Sequence, residues 1–164
     1  MYVLRTIEET TQEAPCKKKV QKIVYLIENS DGHLGYKYGI HLYGPYSAAL
    51  DQEITRLLWN EQLEIISPNG MSHTLNRKDK TEFSLSDHNK KTSIDKIIQK
   101  YAKQTPSELE LLTTTLYVMQ NISIQEFDIL KWVKEIKGTK YSDKEIQDAA
   151  KKLKNDTDII KRIA

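Results

Sequence analysis

Few residues in this 164-residue chain have the type and spacing to do chemistry. The one cysteine, Cys16, stands between Pro15 and the lysines Lys17, Lys18 and Lys19. Nearby cations and a helix N-terminus favour the thiolate, the form that attacks carbon or binds metal. Nucleophilic catalysis also needs a base to take the proton, and the sequence identifies none for Cys16. The four histidines, His33, His41, His73 and His88, do not fall at metal-ligand spacing. A single cysteine excludes a disulfide framework and any multi-cysteine zinc or iron–sulfur site. No His-Glu-x-x-His, Gly-x-Ser-x-Gly or phosphate-binding glycine loop occurs. The sequence therefore predicts no catalytic residue, no metal and no cofactor.

Lys and Arg number 25 and Asp and Glu 23, a net charge of +2. That balance excludes a polyanion binder driven by bulk charge. Charge is nonetheless uneven. Residues 106–130 hold four acids and no Lys or Arg, while residues 131–164 hold ten basic and six acidic side chains. Hydrophobic residues, at 38%, suffice for a lean core. No stretch approaches ~18 consecutive apolar residues, as a membrane span requires. The opening residues Met1 to Glu9 lack the apolar run of a signal peptide. A soluble, cytoplasmic protein is the expectation.

The elements that would position these residues begin with a short helix from Tyr2 to about Thr11, carried by Val3, Leu4 and Ile7 and ended by Pro15. A second helix reads from Lys17 to about Glu28, with Val20, Ile23, Val24 and Ile27 on one face. Lys17, Lys18, Lys19 and Lys22 crowd its start. Cations there oppose the helix dipole by roughly a few tenths of a kcal/mol each. Either the lysines have a partner, or they are simply solvated. Tyr36 to Tyr43 is aromatic and alternating, and at least its second half predicts a short strand. Gly44 can adopt a conformation closed to other residues, Pro45 fixes the exit, and Ser47 is a candidate N-cap for a third helix running to about Glu61. Leu50, Ile54, Leu57 and Leu58 would be its core face. Leu63 to Ser67 predicts a strand, Pro68-Asn69-Gly70 a turn, and Met71 to Leu75 an antiparallel return. A third pairing element is expected at Thr81 to Leu85, and a linker at residues 86–91.

The remainder reads as helices. Thr92 and Ser93 precede Ile94, Ile97, Ile98 and Tyr101. Thr105-Pro106-Ser107-Glu108 combines a cap, a proline at the first helical position and a Glu at N3, ahead of Leu109, Leu112, Leu116 and Met119. Ser123 to Glu126 predicts another start, with Phe127, Leu130, Val133 and Ile136 as its stripe and Gly138 as terminator. Ser142 to Glu145 opens the last helix, bearing Ile146, Ala149, Ala150 and Leu153, and Asp156 to Ala164 reads as a frayed end. The expected fold class is helix-rich α+β. A winged helix–turn–helix-like half with a small antiparallel sheet (1–88) packs on a helical half (89–164), and the two can form one unit.

A winged helix invites a nucleic-acid reading. The would-be recognition helix offers Arg56 against Asp51, Glu53 and Glu61, and acids there repel a duplex. The expected wing offers Arg77, Lys78 and Lys80, diluted by Asp79 and Glu82. These four cations are the candidates if DNA is bound, but scaffold is the better reading of the fold. Five of the nine tyrosines lie between Tyr25 and Tyr46. They either cover the core or form a binding surface, since tyrosine joins apolar area to a polar tip.

Lys19-Val20-Gln21-Lys22-Ile23-Val24-Tyr25-Leu26 and Ile40-His41-Leu42-Tyr43-Gly44-Pro45-Tyr46-Ser47 resemble the two signature stretches of YwgA-like proteins. Leu109 to Leu112, Val133 to Lys137 and Tyr141 to Ile146 are similar too, so the resemblance runs from about 17 to 154. The first two stretches also resemble, more distantly, the opening of the Panacea (SocA-like) antitoxin domain. That resemblance implies a non-enzymatic protein-interaction module, antitoxin-like or adaptor-like, whose partner is another protein such as a toxin. The alternative is a winged-helix DNA-binding regulator. The matching positions Lys19, Gln21, Lys22, Tyr25, Tyr43, Gly44, Pro45 and Tyr46 are the candidate partner-binding site. Gln21 and Lys22 could reach the turn around Gly44 if the second helix packs beside the strand, which would equally be bracing.

Overall fold

A computed structural model describes residues 1–67 and 73–159. Helix α1 (Tyr2–Thr11) is followed by α2 (Lys17–Glu28), the hairpin β1 (Gly39–His41) and β2 (Gly44–Tyr46), and α3 (Ala48–Trp59). A second hairpin, β3 (Leu63–Ile66) and β4 (Thr74–Arg77), precedes α4 (His88–Tyr101), α5 (Pro106–Asn121), α6 (Glu126–Lys137) and α7 (Asp143–Lys154). The protein is helix-rich α+β with two small antiparallel sheets.

Two helices sit at the centre. In α2 every residue from Val20 to Ile27 is buried, because its two sides serve two clusters. Val20 and Val24 pack with Leu4, Leu50, Ile54, Leu57, Leu63 and Leu75. Ile23, Leu26 and Ile27 join Ile94, Ile97, Ile98, Leu109, Leu116 and Val133. A helix enclosed by α4, α5 and β2 has no side left for solvent. Each fully buried aliphatic side chain contributes about 1.5–3 kcal/mol. Helix α5 is enclosed likewise, from Leu109 to Leu116, and its Thr105 capping box and Pro106 start form as expected. The larger cluster crosses the expected division at residue 88, since Ile7 and Ile23 pack with residues of α4 to α7.

Caps and turns account for most boundaries. Ser47 caps α3 through the Leu50 amide, Gly138 ends α6 at φ 60°, and the Ser142 box opens α7. The β3–β4 hairpin pairs Leu63 with Arg77 and Ile66 with Thr74. The expected Pro68-Asn69-Gly70 turn and Met71 lie outside the described residues. An isolated bridge from Cys16 to Thr74 adds the segment before α2 to this hairpin.

Several expectations are corrected. The single strand ending at Tyr43 is a hairpin, with Gly39 opposite Tyr46 and His41 opposite Gly44. Residues 81–85 form no strand, because the Thr81 amide and carbonyl bond Asp79 and Arg77 instead of a sheet edge. Residues 88–91 are helical, since Asp87 caps α4 before Thr92 and Ser93 are reached. At α6 the Ser123 hydroxyl accepts from the Gln125 amide, and the helix starts at Glu126 without a side-chain cap. Its stripe is also rotated: Ile129 and Val133 are buried, whereas Phe127 is 78% exposed. Steps of three residues drift by about 60° each, so Phe127, Leu130, Val133 and Ile136 cannot share one face. The expected frayed end is packed as far as Ile159, and Asp156 accepts hydrogen bonds from Tyr101 and Lys100.

Candidate functional site

The sequence-derived candidates converge where the α2 N-terminal half meets the β1–β2 hairpin. Gln21 reads the backbone of Ser47 in both directions: its amide nitrogen donates to the Ser47 carbonyl and its amide oxygen accepts the Ser47 N–H, each at 3.0 Å. Lys22, only 2% exposed, donates to the Pro45 carbonyl at 2.6 Å. Both reach the turn, as the sequence allowed, and both brace it. Burial holds the Lys22 ammonium down to about 8, with Lys137 and Lys18 pushing the same way and Glu110 opposing.

Gly44 lies at φ 87° against α5, where an added Cβ would stand 2.8 Å from the Thr114 hydroxyl oxygen. It is glycine for both conformation and space. The other lysines have partners within the fold. Lys17 pairs with Asp51 of α3, and Lys18 lies 4.1 Å from the Tyr43 ring centre and 3.8 Å from Glu110. Lys19 donates to the carbonyl of Ala102, the α4 C-cap, at 2.8 Å. These cations at a helix start are therefore not merely solvated.

At the base of the site is Glu110, 1% exposed. One oxygen accepts from Lys137 at 2.9 Å and Lys140 at 2.8 Å. The other is buried without a hydrogen bond. Burial pushes the carboxyl up, but the contacts with Lys140 and Lys137 outweigh it and hold the group below the ordinary glutamate range. At Lys137 burial prevails and the pKa is lowered despite Glu110. Lys137 also donates to the Leu42 carbonyl at 2.8 Å, tying the hairpin tip to the end of α6.

A cavity of about 410 Å³ opens beside this arrangement, lined chiefly by Cys16, Lys17, Lys18, Lys22, Tyr43 and His73. The Cys16 sulfur accepts the Lys19 amide as the N-cap of α2. Among the described residues, no group of three or more His, Cys, Asp or Glu could hold a metal ion.

The candidates divide. Gln21, Lys22, Tyr43 and Tyr46 line the cavity, whereas Gly44 and Pro45 are buried in the hairpin that carries the two tyrosines. Lys19 and Tyr25 point elsewhere. Tyr25 is in the core, its ring 4.9 Å from that of Tyr38 and its hydroxyl donating to Gln120. The tyrosine cluster is thus core cover at Tyr25 and Tyr38, and exposed surface at Tyr43. The DNA candidates are largely occupied within the fold. Arg56 pairs with Glu53, and Lys80 donates to Glu8. Arg77 is buried, 3.6 Å from Glu8, and donates to the carbonyls of Asp79 and Thr81. Lys78 is exposed.

Sequence reasoning missed Glu110, Thr114, Lys137 and Lys140. The available signal was Leu109-Glu110-Leu111-Leu112, a carboxylate embedded in an apolar run, followed by a lysine-rich segment. No family model matches the chain, and no curated protein matches it significantly.

Proposed function

We propose that this chain is a non-enzymatic interaction module of the cytoplasm, antitoxin-like or adaptor-like, which presents the β1–β2 hairpin to a partner protein. One observation carries the reading: at the tip, Leu42 is 78% and Tyr43 54% exposed, while the hairpin root is locked by Gln21, Lys22 and Gly44. An apolar and aromatic tip on a rigid root has already lost the entropy that binding would otherwise cost. Tyrosine is among the residues that dominate protein interfaces. The bracing residues are those on which the resemblance to YwgA-like proteins and, more distantly, the Panacea domain rests, and we extend that family reading to the chain.

The test compares wild type with the double variant Leu42→Asp/Tyr43→Asp by crosslinking and co-purification from the native host. A stoichiometric protein retained by wild type and lost by the variant, at unchanged Tm, supports the module. Failure of wild type to retain any protein under several conditions removes it.

A second reading, the winged-helix DNA-binding regulator, is favoured by the Cys16–Thr74 bridge. It sets the segment before α2 beside the β3–β4 hairpin that follows α3, a pairing that a winged helix requires. The internal ion pairs of Arg56, Arg77 and Lys80 count against it. Salt-sensitive duplex binding in a low-salt gel-shift titration would reverse this ranking.

A further inference from the structure

The lysines around the cavity pose a problem that internal pairing does not solve. Helix α2 opens with Lys17, Lys18 and Lys19 and has no acid in its first turn. The positive end of its dipole and the cavity-lining ammonium groups therefore add to one another. Within the group, Lys17, Lys18, Lys22, Lys137 and Lys140 face only the carboxylates Asp51 and Glu110. The five lysines exceed the two carboxylates by three charges, and Lys17, Lys18 and Lys22 of the five line the cavity itself. Lys22 is almost wholly buried and spends one of its three donors on Pro45. Arrangements that break a local stability rule tend to mark functional sites.

We propose that the cavity between the α2 N-terminus and the β1–β2 hairpin binds a small phosphate-bearing molecule. Phosphate suits the charge, since a dianion offsets most of the excess. It suits the donors as well, because a lysine ammonium meets phosphate as a compact point charge with several donors. The helix start supplies the dipole that recurs at phosphate sites. A volume of about 410 Å³ lies within the range of small-molecule pockets and exceeds the needs of a bare ion. Tyr43 and Tyr46 in the lining offer apolar area to the remainder of the ligand. This site goes beyond the protein-interaction reading, and no step of it depends on the hairpin partner.

The experiment titrates the purified full chain with inorganic phosphate, with adenosine 5′-monophosphate and with a phosphoserine tetrapeptide, each against sodium chloride at equal ionic strength. Tm and calorimetric binding are followed. Both small molecules should raise Tm above the chloride control, and Lys18→Met should weaken binding about tenfold. Circular dichroism confirms the variant's fold, and Lys17→Met is a second, rim-level probe in case Lys18→Met unfolds. The assignment is overturned if neither small molecule exceeds chloride, or if both variants bind like wild type. It is also overturned if only the phosphopeptide binds, which would return the cavity to partner docking.

Discussion

Two buried carboxylates organise two separate clusters, and they are built differently. Asp156, just beyond α7, is fully answered. One oxygen accepts from Lys100 at 2.9 Å and from the Asp158 amide at 3.0 Å, and the other accepts from the Tyr101 hydroxyl. Its cation, Lys100, is shared with Asp158 at 2.8 Å, so one ammonium serves two carboxylates there and no cation is in surplus. Glu110 is outnumbered: Lys137, Lys140 and Lys18 converge on it, Lys22 feels its charge, and one oxygen has no hydrogen bond. A carboxylate with donors on both oxygens and no surplus cation serves as a clasp. A cluster with surplus cations beside a cavity is incomplete until an anion arrives.

The largest effect that could break this contrast is loss of charge at Glu110. Glu110→Gln leaves several buried or half-buried ammonium groups unopposed and should cost about 3–5 kcal/mol in urea unfolding. Asp156→Asn keeps an acceptor for Tyr101 and leaves the half-exposed Lys100 paired with Asp158, so about 1–3 kcal/mol is expected. Equal losses would erase the distinction.

Next is Gly44→Val, which forces a β-branched residue to φ 87° and drives a methyl-bearing carbon toward Thr114. A loss of roughly 2–4 kcal/mol is expected. Wild-type melting would show that the hairpin is not seated on α5 as described.

The contrast also has opposite signs in alkali. Lys22 is held down to about 8 in the folded chain, chiefly by burial. From there toward the ordinary lysine value, the unfolded chain holds more protons, so stability rises with pH. The gain is at most about 3 kcal/mol. At Lys100 burial lowers the pKa, but Asp156 and Asp158 together raise it above the ordinary value. Its contribution is therefore complete below that value and disappears as pH climbs through the raised one. Denaturant midpoints between about pH 8 and 10 should rise in wild type and rise less in Lys22→Met, where the lowered Lys137 still contributes. In acid the two clusters agree. Both carboxyls lie below their ordinary range, so their stabilisation is present above it and fades as pH falls.

Punctuation was the legible part of the sequence. The α2 bounds, the Ser47 cap, the Thr105 and Ser142 boxes and the Gly138 stop are local chemistry, settled within a few residues. The contact of Gln21 and Lys22 with the Gly44 turn was also legible, because short-range geometry limited where they could reach. What escaped was set by tertiary partners. Periodicity showed one apolar face on α2 and α5, but their burial on all sides depends on helices distant in sequence. Glu110 therefore read as one more polar position, and its lysines on and beyond α6 could not be assigned to it. Phe127 failed in the opposite sense: an apolar residue that a rotated helix turns to solvent.

The contact of Lys19 with the carbonyl of Ala102 has a topological consequence. A cation at the beginning of α2 finishes α4, which starts some seventy residues later. The first eighty-eight residues expressed alone would lose the wall that α4 and α5 provide for α2, exposing Ile23, Leu26 and Ile27 to water. Such a fragment should be a protease-sensitive, aggregation-prone chain rather than a miniature of the N-terminal half.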